Sequence, residues 1–439
     1  MEWLGEVPEG WIILKNRHLF NFSKGLSITK ENLQDSGIPC VSYGEVHSKL
    51  GFEFNPEIDD MKFVSPEYLK TSKNCLLDSG DFIFADTSED FEGSGNFSYL
   101  NSKSQVFAGY HTVICRLKSK QNPRFFAYVF DSNAHRKQIQ TQVKGIKVFS
   151  ITQGLLKDIY SWIPEQKEQI AITKFLDTET ARIDKLISKQ EKLIKLLEEQ
   201  RKSIISYAVT KGLNPNAPMK DSGVEWLGEV PDGWDVTYIK YLTTKITSGK
   251  TPLGGAEVYT KDGVIFLRSQ NIYNDGLHLE EVSFIPHEIH EAMKSSKVKK
   301  NDILLNITGG SIGRTCLVEC DIGEANVNQH VCIIRAFKEH YSKWISVFLQ
   351  SNAAQSQIFY SQTGAGREGL NFSQIGNMRI PFPELDEQNK ILNFISQENK
   401  KFDNLIIKQK NLIEKLKEYR SSIISHAVTG KIDVREWVA

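Results

Sequence analysis

The sequence predicts an α+β chain made by tandem duplication: two mixed α/β regions, each followed by one long helix. Three observations predict this class. The segment Glu2 to Trp11 returns at Glu225 to Trp234 with nine of ten positions identical. The segment Ser203 to Thr210 returns at Ser422 to Thr429 at nearly the same offset. Each copy then closes in a charged stretch with an apolar seam, opening at a Pro-Glu pair, Pro164-Glu165 or Pro383-Glu384. A period of this length is too long for a solenoid, so one large unit has been written twice. The expected boundaries are 1–163 for the first mixed region, 164–212 for its helix, 213–224 for a linker, 225–382 for the second mixed region, 383–429 for its helix and 430–439 for a tail.

The mixed regions read as short strands and helices. Asp302 to Thr308, His330 to Arg335 and Asp81 to Asp86 are apolar, β-branched or aromatic runs of strand length. Pro123 to Ser132 and Tyr341 to Phe359 read as helices, and Gly309 to Gly313 as a hairpin or loop. His111 to Arg116 echoes His330 to Arg335, so the two regions are expected to share a fold and differ in detail.

The charged stretches carry heptads. With Leu176 at position a, the a series is Leu176, Ile183, Gln190, Leu197 and Ile204. Leu186, Leu193 and Tyr207 fall at d, and Ile187 and Ile194 at e. The second copy gives Ile395, Phe402, Gln409, Leu416 and Ile423 at a, with Leu405, Ile406, Leu412 and Ile413 beside them. A seam at this period favours helix-on-helix packing, and Ile170 to Tyr207 alone would span about 57 Å. Gln190 and Gln409 break the seam near each midpoint. They are either register-setting amides that satisfy each other across a helix pair or solvated residues at the seam edge.

Composition excludes several classes. Lys+Arg and Asp+Glu are each 54, so the net charge is zero and the chain is no polycation. That leaves room for a local basic surface. No apolar stretch reaches the length of a membrane span. The acidic start and the six cysteines, none in a Cys-x-x-Cys pair, point to a reducing cytoplasm. Catalytic motifs are incomplete. Thr247 to Thr251 lacks the first glycine of a phosphate loop, and Pro252 stands where its helix should run. His287-Glu288-Ile289-His290 is not His-Glu-x-x-His, so no metal site is expected. No catalytic residue and no bound cofactor is expected either.

What remains is a binding signal. Ser132 to Lys157 and His340 to Arg367 contain no Asp or Glu, and matched acid-free polar windows suit a polyanion. Within them Lys144 and Lys147 flank Gly145, and Arg367 follows Gly366. Arg268, Ser269, Gln270 and Asn271 follow the strand Val264 to Leu267. Arg, Gln and Asn make bidentate contacts to base edges, and serve equally well as scaffold hydrogen-bonders. The amides of the Gly309 to Gly313 loop could hold a phosphate, with Thr308, Ser311 and Arg314 beside them. Against this, Asp78, Asp81, Asp86, Glu89, Asp90 and Glu92 cluster in the first copy and are expected to face solvent or a protein partner.

These pieces together resemble the specificity subunit of type I restriction-modification systems. The resemblance rests on the two Glu-Trp-Leu-Gly-Glu-Val-Pro motifs, Gly249 to Pro252, Gly309 to Gly313, Leu370 to Ile375, the Pro-Glu-x-x-Glu-Gln helix starts and the Ala-Val-Thr helix ends at Ala208 and Ala427. The first copy departs most, with Thr87-Ser88-Glu89-Asp90 where the second has its glycine loop. The resemblance implies two target recognition domains on an antiparallel coiled coil with pseudo-two-fold symmetry. Each domain would read half of a bipartite double-stranded DNA target, and the coil would set the gap. It implies a non-catalytic chain that docks two modification subunits, which bind S-adenosylmethionine, and two restriction subunits, which use ATP and Mg. Two other readings compete: a coiled-coil adaptor with no DNA contact, and a misread methyltransferase or nuclease.

Overall fold

The computed structural model describes residues 6–145, 148–362, 369–435 and 437. The chain divides into two compact units, and only the second is continuous in sequence. The first joins the residues up to Gln190 to those from Asn411 onward; the second holds Glu191–Lys410. Both divisions cut a long helix near its middle, in Gln166–Lys211 and in Leu385–Val428. Each unit thus contains one mixed module, the first half of the helix leaving it and the last half of the other helix. At 46 and 44 residues the helices run about 69 and 66 Å, longer than the seam alone indicated.

The first module has a five-stranded sheet in the order Phe20–Lys24, Thr112–Leu117, Phe82–Ala85, Phe97–Leu100, Glu53–Phe54. A four-stranded sheet follows the order Lys62–Val64, Ile38–Val41, Val106–Ala108, Leu76–Leu77. Alternation along Phe82–Ala85 serves two cores. Phe82 and Phe84 enter an aromatic cluster with Phe20, Phe97, Phe126 and Phe130, while Ile83 and Ala85 pack with Val41 and Leu100. The second module repeats the plan with four strands, Thr243–Ser248, Val331–Ala336, Asp302–Asn306 and Thr315–Leu317, and three strands, Ser283–Ile285, Val264–Leu267 and Ala325–Val327. In both smaller sheets the central pair is parallel, Ile38–Val41 with Val106–Ala108 and Val264–Leu267 with Ala325–Val327.

The shared plan is visible in matched polar contacts. Arg116 Nε donates to Asp81 at 2.9 Å, and Arg335 Nε to Asp302 at 2.6 Å. Trp11 Nε1 donates to Glu168 and Trp234 Nε1 to Glu387, which holds each Trp motif on the first turn of the helix that follows. Gln138 exchanges two bonds with the backbone of Tyr160, and Gln357 does the same with Arg379. The Asn133 amide donates to Ser425 Oγ in one unit and the Asn352 amide to Ser206 Oγ in the other.

Within each unit the two half-helices run antiparallel. Asp184 accepts from Arg420 in the first, while Phe175 meets Trp437. In the second, Arg201 pairs with Asp403, and Gly212 lies beside Glu387. The seam, however, uses a and e, not a and d. Ile183, Ile406, Ile413 and Ala427 are buried, but Leu193, Tyr207, Leu405 and Leu412 are exposed. A d seam would have to bury Glu179, Gln200 and Glu398, whereas e offers Thr180, Ile187, Ala208 and the crossing arginines Arg201 and Arg420. Gln190 and Gln409 are half-buried, each at the point where its helix passes from one unit to the other. The expected helix Tyr341 to Phe359 is two helices, Glu339–Leu349 and Asn352–Gln362. Ser351 breaks it by turning its Oγ to the Ala354 amide.

Candidate nucleic-acid interface

The second module gathers most of the candidates at the C-terminal end of the strand Val264–Leu267. There the chain makes one 3-10 turn, Ser269–Asn271, and Asn271 builds it. Its Oδ1 accepts from the Arg268 amide at 3.0 Å and its Nδ2 donates to His278 O at 3.0 Å. Asn271 is 2% exposed, so its amide is spent on the turn and none of it is offered outward. Gln270 is exposed at the tip, and Ser269 and Arg268 are half-buried. The Arg268 guanidinium lies over the Tyr259 ring at 5.7 Å.

The hairpin Asp302–Asn306 to Thr315–Leu317 brings the glycine loop to the same rim. Asn306, absent from the sequence candidates, is the link. It is fully buried, and its Nδ2 donates to Ser269 O at 2.8 Å and Ser311 Oγ at 3.1 Å. Its backbone bonds Arg314 O and the Gly313 amide. The signal was an amide at the end of an otherwise apolar strand, which must find partners when buried. Gly313 has φ +86, and a Cβ there would meet the Gln355 side chain at 2.5 Å. The loop therefore needs glycine both for its conformation and for close approach. Arg314 is exposed, with its guanidinium 4.9 Å from the Tyr273 ring, which stacks on His278. Among the described residues neither Arg268 nor Arg314 makes an ion pair. Two arginines oriented by aromatic faces, with free N–H donors, are suited to phosphate or base edges. Thr308 sits across the loop, hydrogen-bonded to His330 Nδ1 at 2.6 Å.

The first module's counterpart has different chemistry. Its strand Ile38–Val41 ends in a turn capped by Ser42 and Glu45. The rim carries Tyr43, Tyr110 and His111, whose rings lie 5.7 to 6.0 Å apart. His111 holds φ +55, and its Nδ1 is 3.2 Å from Asp86. Sequence reasoning missed these three; an aromatic pair beside the repeated His-to-Arg echo was the available signal. Lys144 is exposed and pairs with Ser150 next to Phe149–Ser150, which pairs with Thr87–Ser88. That pairing sets the Asp86 to Glu92 acids beside the Lys144 loop, closer to the candidate surface than expected. The acid-free windows are also less basic than they read. Arg136 is engaged by Asp131 and Asn96, and Trp344 to Leu349 is core. Lys147 and Arg367 lie outside the described residues.

The buried thiols are poor nucleophiles: burial pushes Cys316 and Cys332 up to about 12. No helix among the described residues is long and apolar enough to cross a membrane.

The family model described as type I restriction modification DNA specificity domain matches residues 8–196 and again 231–418. The chain belongs to this family. Its two copies of the domain coincide with the duplicated architecture above. Among curated relatives, the type I restriction enzyme EcoBI specificity subunit of Escherichia coli is 26% identical, over 99% of this chain and 88% of that one. A putative type I restriction enzyme MjaX specificity subunit from Methanocaldococcus jannaschii is 24% identical, over 98% and 96%. A chain solved in work on complex assembly and conformational transition of the type I R-M system aligns with TM-score 0.66 and 14% identity. It covers 97% of this chain and 100% of that chain, and the likeness shows the shared fold.

Proposed function

We propose that this chain is the non-catalytic sequence-specificity subunit of a type I restriction-modification complex. Each module reads one half of a bipartite, asymmetric double-stranded DNA target, and the paired helices set the gap between the halves. The observation that carries this reading is the twofold match to a DNA specificity domain, together with one exposed rim at the same strand end in both modules. In the second module Arg268, Ser269, Gln270, Thr308, Ser311 and Arg314 face the DNA, with Asn271 and Asn306 shaping the surface. In the first, Tyr43, Tyr110 and His111 join Lys144; Lys147 and Arg367 stay candidates on their sequence alone. Gln190 and Gln409 fix helix register. Two modification subunits supply S-adenosylmethionine for adenine methylation, and two restriction subunits use ATP and Mg; this chain binds no cofactor of its own for the reaction. The complex works in the cytoplasm.

The test is adenine-methylation mapping in cells carrying a lengthened chain. Four residues inserted after Lys192 and four after Asn411, the matching helix position, add about 6 Å to the pair. At about 3.4 Å per base pair, the methylated half-sites should keep their sequences and move apart by one or two base pairs. An active variant with the original gap would show that something other than the helices places the modules.

A further inference from the structure

The second module buries a histidine where the first packs a leucine. Val64 pairs with Ile38 in one module and Ile285 with Val264 in the other. Five residues on from these positions come Leu69 and His290. By the same registers Asn326 stands where the first module has Phe107. Leu69 and Phe107 share an apolar cluster, so the fold itself does not require polar groups here. Burying an imidazole and an amide costs solvation that the apolar version avoids.

The hydrogen bonds fix the tautomer. Asn326 Nδ2 donates to Met293 O at 3.0 Å and to Ser296 Oγ at 2.9 Å. Its Oδ1 is therefore the atom facing His290, and it accepts from Nδ1. That leaves the lone pair of Nε2 directed at carboxylates: Glu324 Oε1 at 3.5 Å and Glu291 Oε1 at 3.8 Å. His290 is 2% exposed. A buried imidazole lone pair facing two carboxylates is a set of acceptors that a cation can fill. Lys297 reaches Glu291 at 2.5 Å and neutralises that carboxylate alone. His287 Nδ1 lies 3.2 Å from the other oxygen of Glu324 and holds that carboxylate toward the cluster.

The spacing suits a metal. Donors about 2.0 Å from a tetrahedral ion stand about 3.3 Å apart, and the three donor atoms here all lie within 4.8 Å of one another. An imidazole oriented by a hydrogen bond on its other nitrogen is the usual form of a metal-binding histidine. We propose that His290, Glu291 and Glu324 bind one divalent ion of the zinc class, with water as fourth ligand. The ion would tie the helix His287–Ala292 to the start of the strand Ala325–Val327, the neighbour of Val264–Leu267. The His-Glu-Ile-His segment shows no metal motif on its own because one carboxylate comes from a distant loop.

The full chain, stripped with a chelator, is titrated with Zn2+ by calorimetry and with Co2+ by visible absorption. One ion per chain, tetrahedral Co2+ bands and a higher Tm with Zn2+ are expected. His290→Ala opens a buried site and can unfold the module. Glu324→Gln is therefore the decisive variant, since its side chain is at the surface. With its circular dichroism unchanged, it should bind Zn2+ about tenfold or more weakly. No saturable binding, or binding unaltered in Glu324→Gln, overturns the proposal and leaves His290 held by a proton. Neither readout involves DNA or a partner, so the result is independent of the proposed function.

Discussion

The two modules keep the same internal ties and differ at the rim. Asp81–Arg116 matches Asp302–Arg335, Trp11–Glu168 matches Trp234–Glu387, and Gln138 matches Gln357, each with the same partners in the fold. At the strand end the second module presents Arg268, Gln270 and Arg314 with a glycine loop. The first presents Tyr43, Tyr110 and His111 beside acids. Groups that hold sheet to helix are interchangeable between modules only as whole pairs, because removing one partner strands the other. Rim groups lean only on neighbours within the same rim, as His111 does on Asp86 and Arg314 on Tyr273, so they can diverge with the target each module meets.

The largest test of this division is at the shared pairs. Asp302→Ala leaves Arg335 uncompensated and should cost about 3 kcal/mol; Asp81→Ala should cost less, about 2 kcal/mol, because Arg116 keeps Asp78 at 3.1 Å. Chemical denaturation measures both, and a near-silent result in one module would break the equivalence. Next comes the tryptophan anchor. Trp234→Phe loses a bond to a carboxylate and should cost about 2 kcal/mol. Trp11→Phe should cost less, about 1 kcal/mol, since Trp11 is half-buried and Trp234 is 2% exposed.

A third test separates the modules by pH. His135 is buried against Phe130, and burial lowers it from 6.5 to about 3; the second module has Ala354 at that place. Below about pH 6.5 the unfolded chain takes a proton that the folded site refuses, so stability should fall as pH drops from there toward 3. His135→Leu should flatten this dependence in thermal melts, and an unchanged profile would remove His135 as its source. The rim changes should leave stability nearly untouched and act on binding. In the assembled complex, Arg314→Ala should weaken DNA binding by about 1 to 3 kcal/mol and lower the salt slope by about one. Lys144→Ala, with acids on the adjoining strand, should cost about 0.5 kcal/mol. A larger effect for Lys144 than for Arg314 would reverse the ranking of the two rims.

Duplication, helix positions and the Asp302 to Thr308 strand were legible because they depend on local pattern. The seam was read with d in place of e because Leu186-Ile187 and Leu193-Ile194 are both apolar pairs. Only the partner helix, through Arg201 and Arg420, decides which member turns inward. Asn271 read equally as a base-contacting amide or a scaffold hydrogen-bonder, because its type suits both; the two internal bonds that decide for the scaffold are set by a turn and by His278, seven residues away. Asn306 and the His290 cluster depend on residues brought together from separate strands, and no linear spacing encodes them.

The interleaving of the units bears on how the chain is made. Ile423, Ile424, Ala427 and Val428 belong to the core of the first unit, although they are synthesised only after the whole of the second. On the ribosome the second unit, complete by Lys410, can close before the first has received its final helix turns. A nonsense change just after Lys410 would accordingly spare the later half of the message and spoil the earlier one.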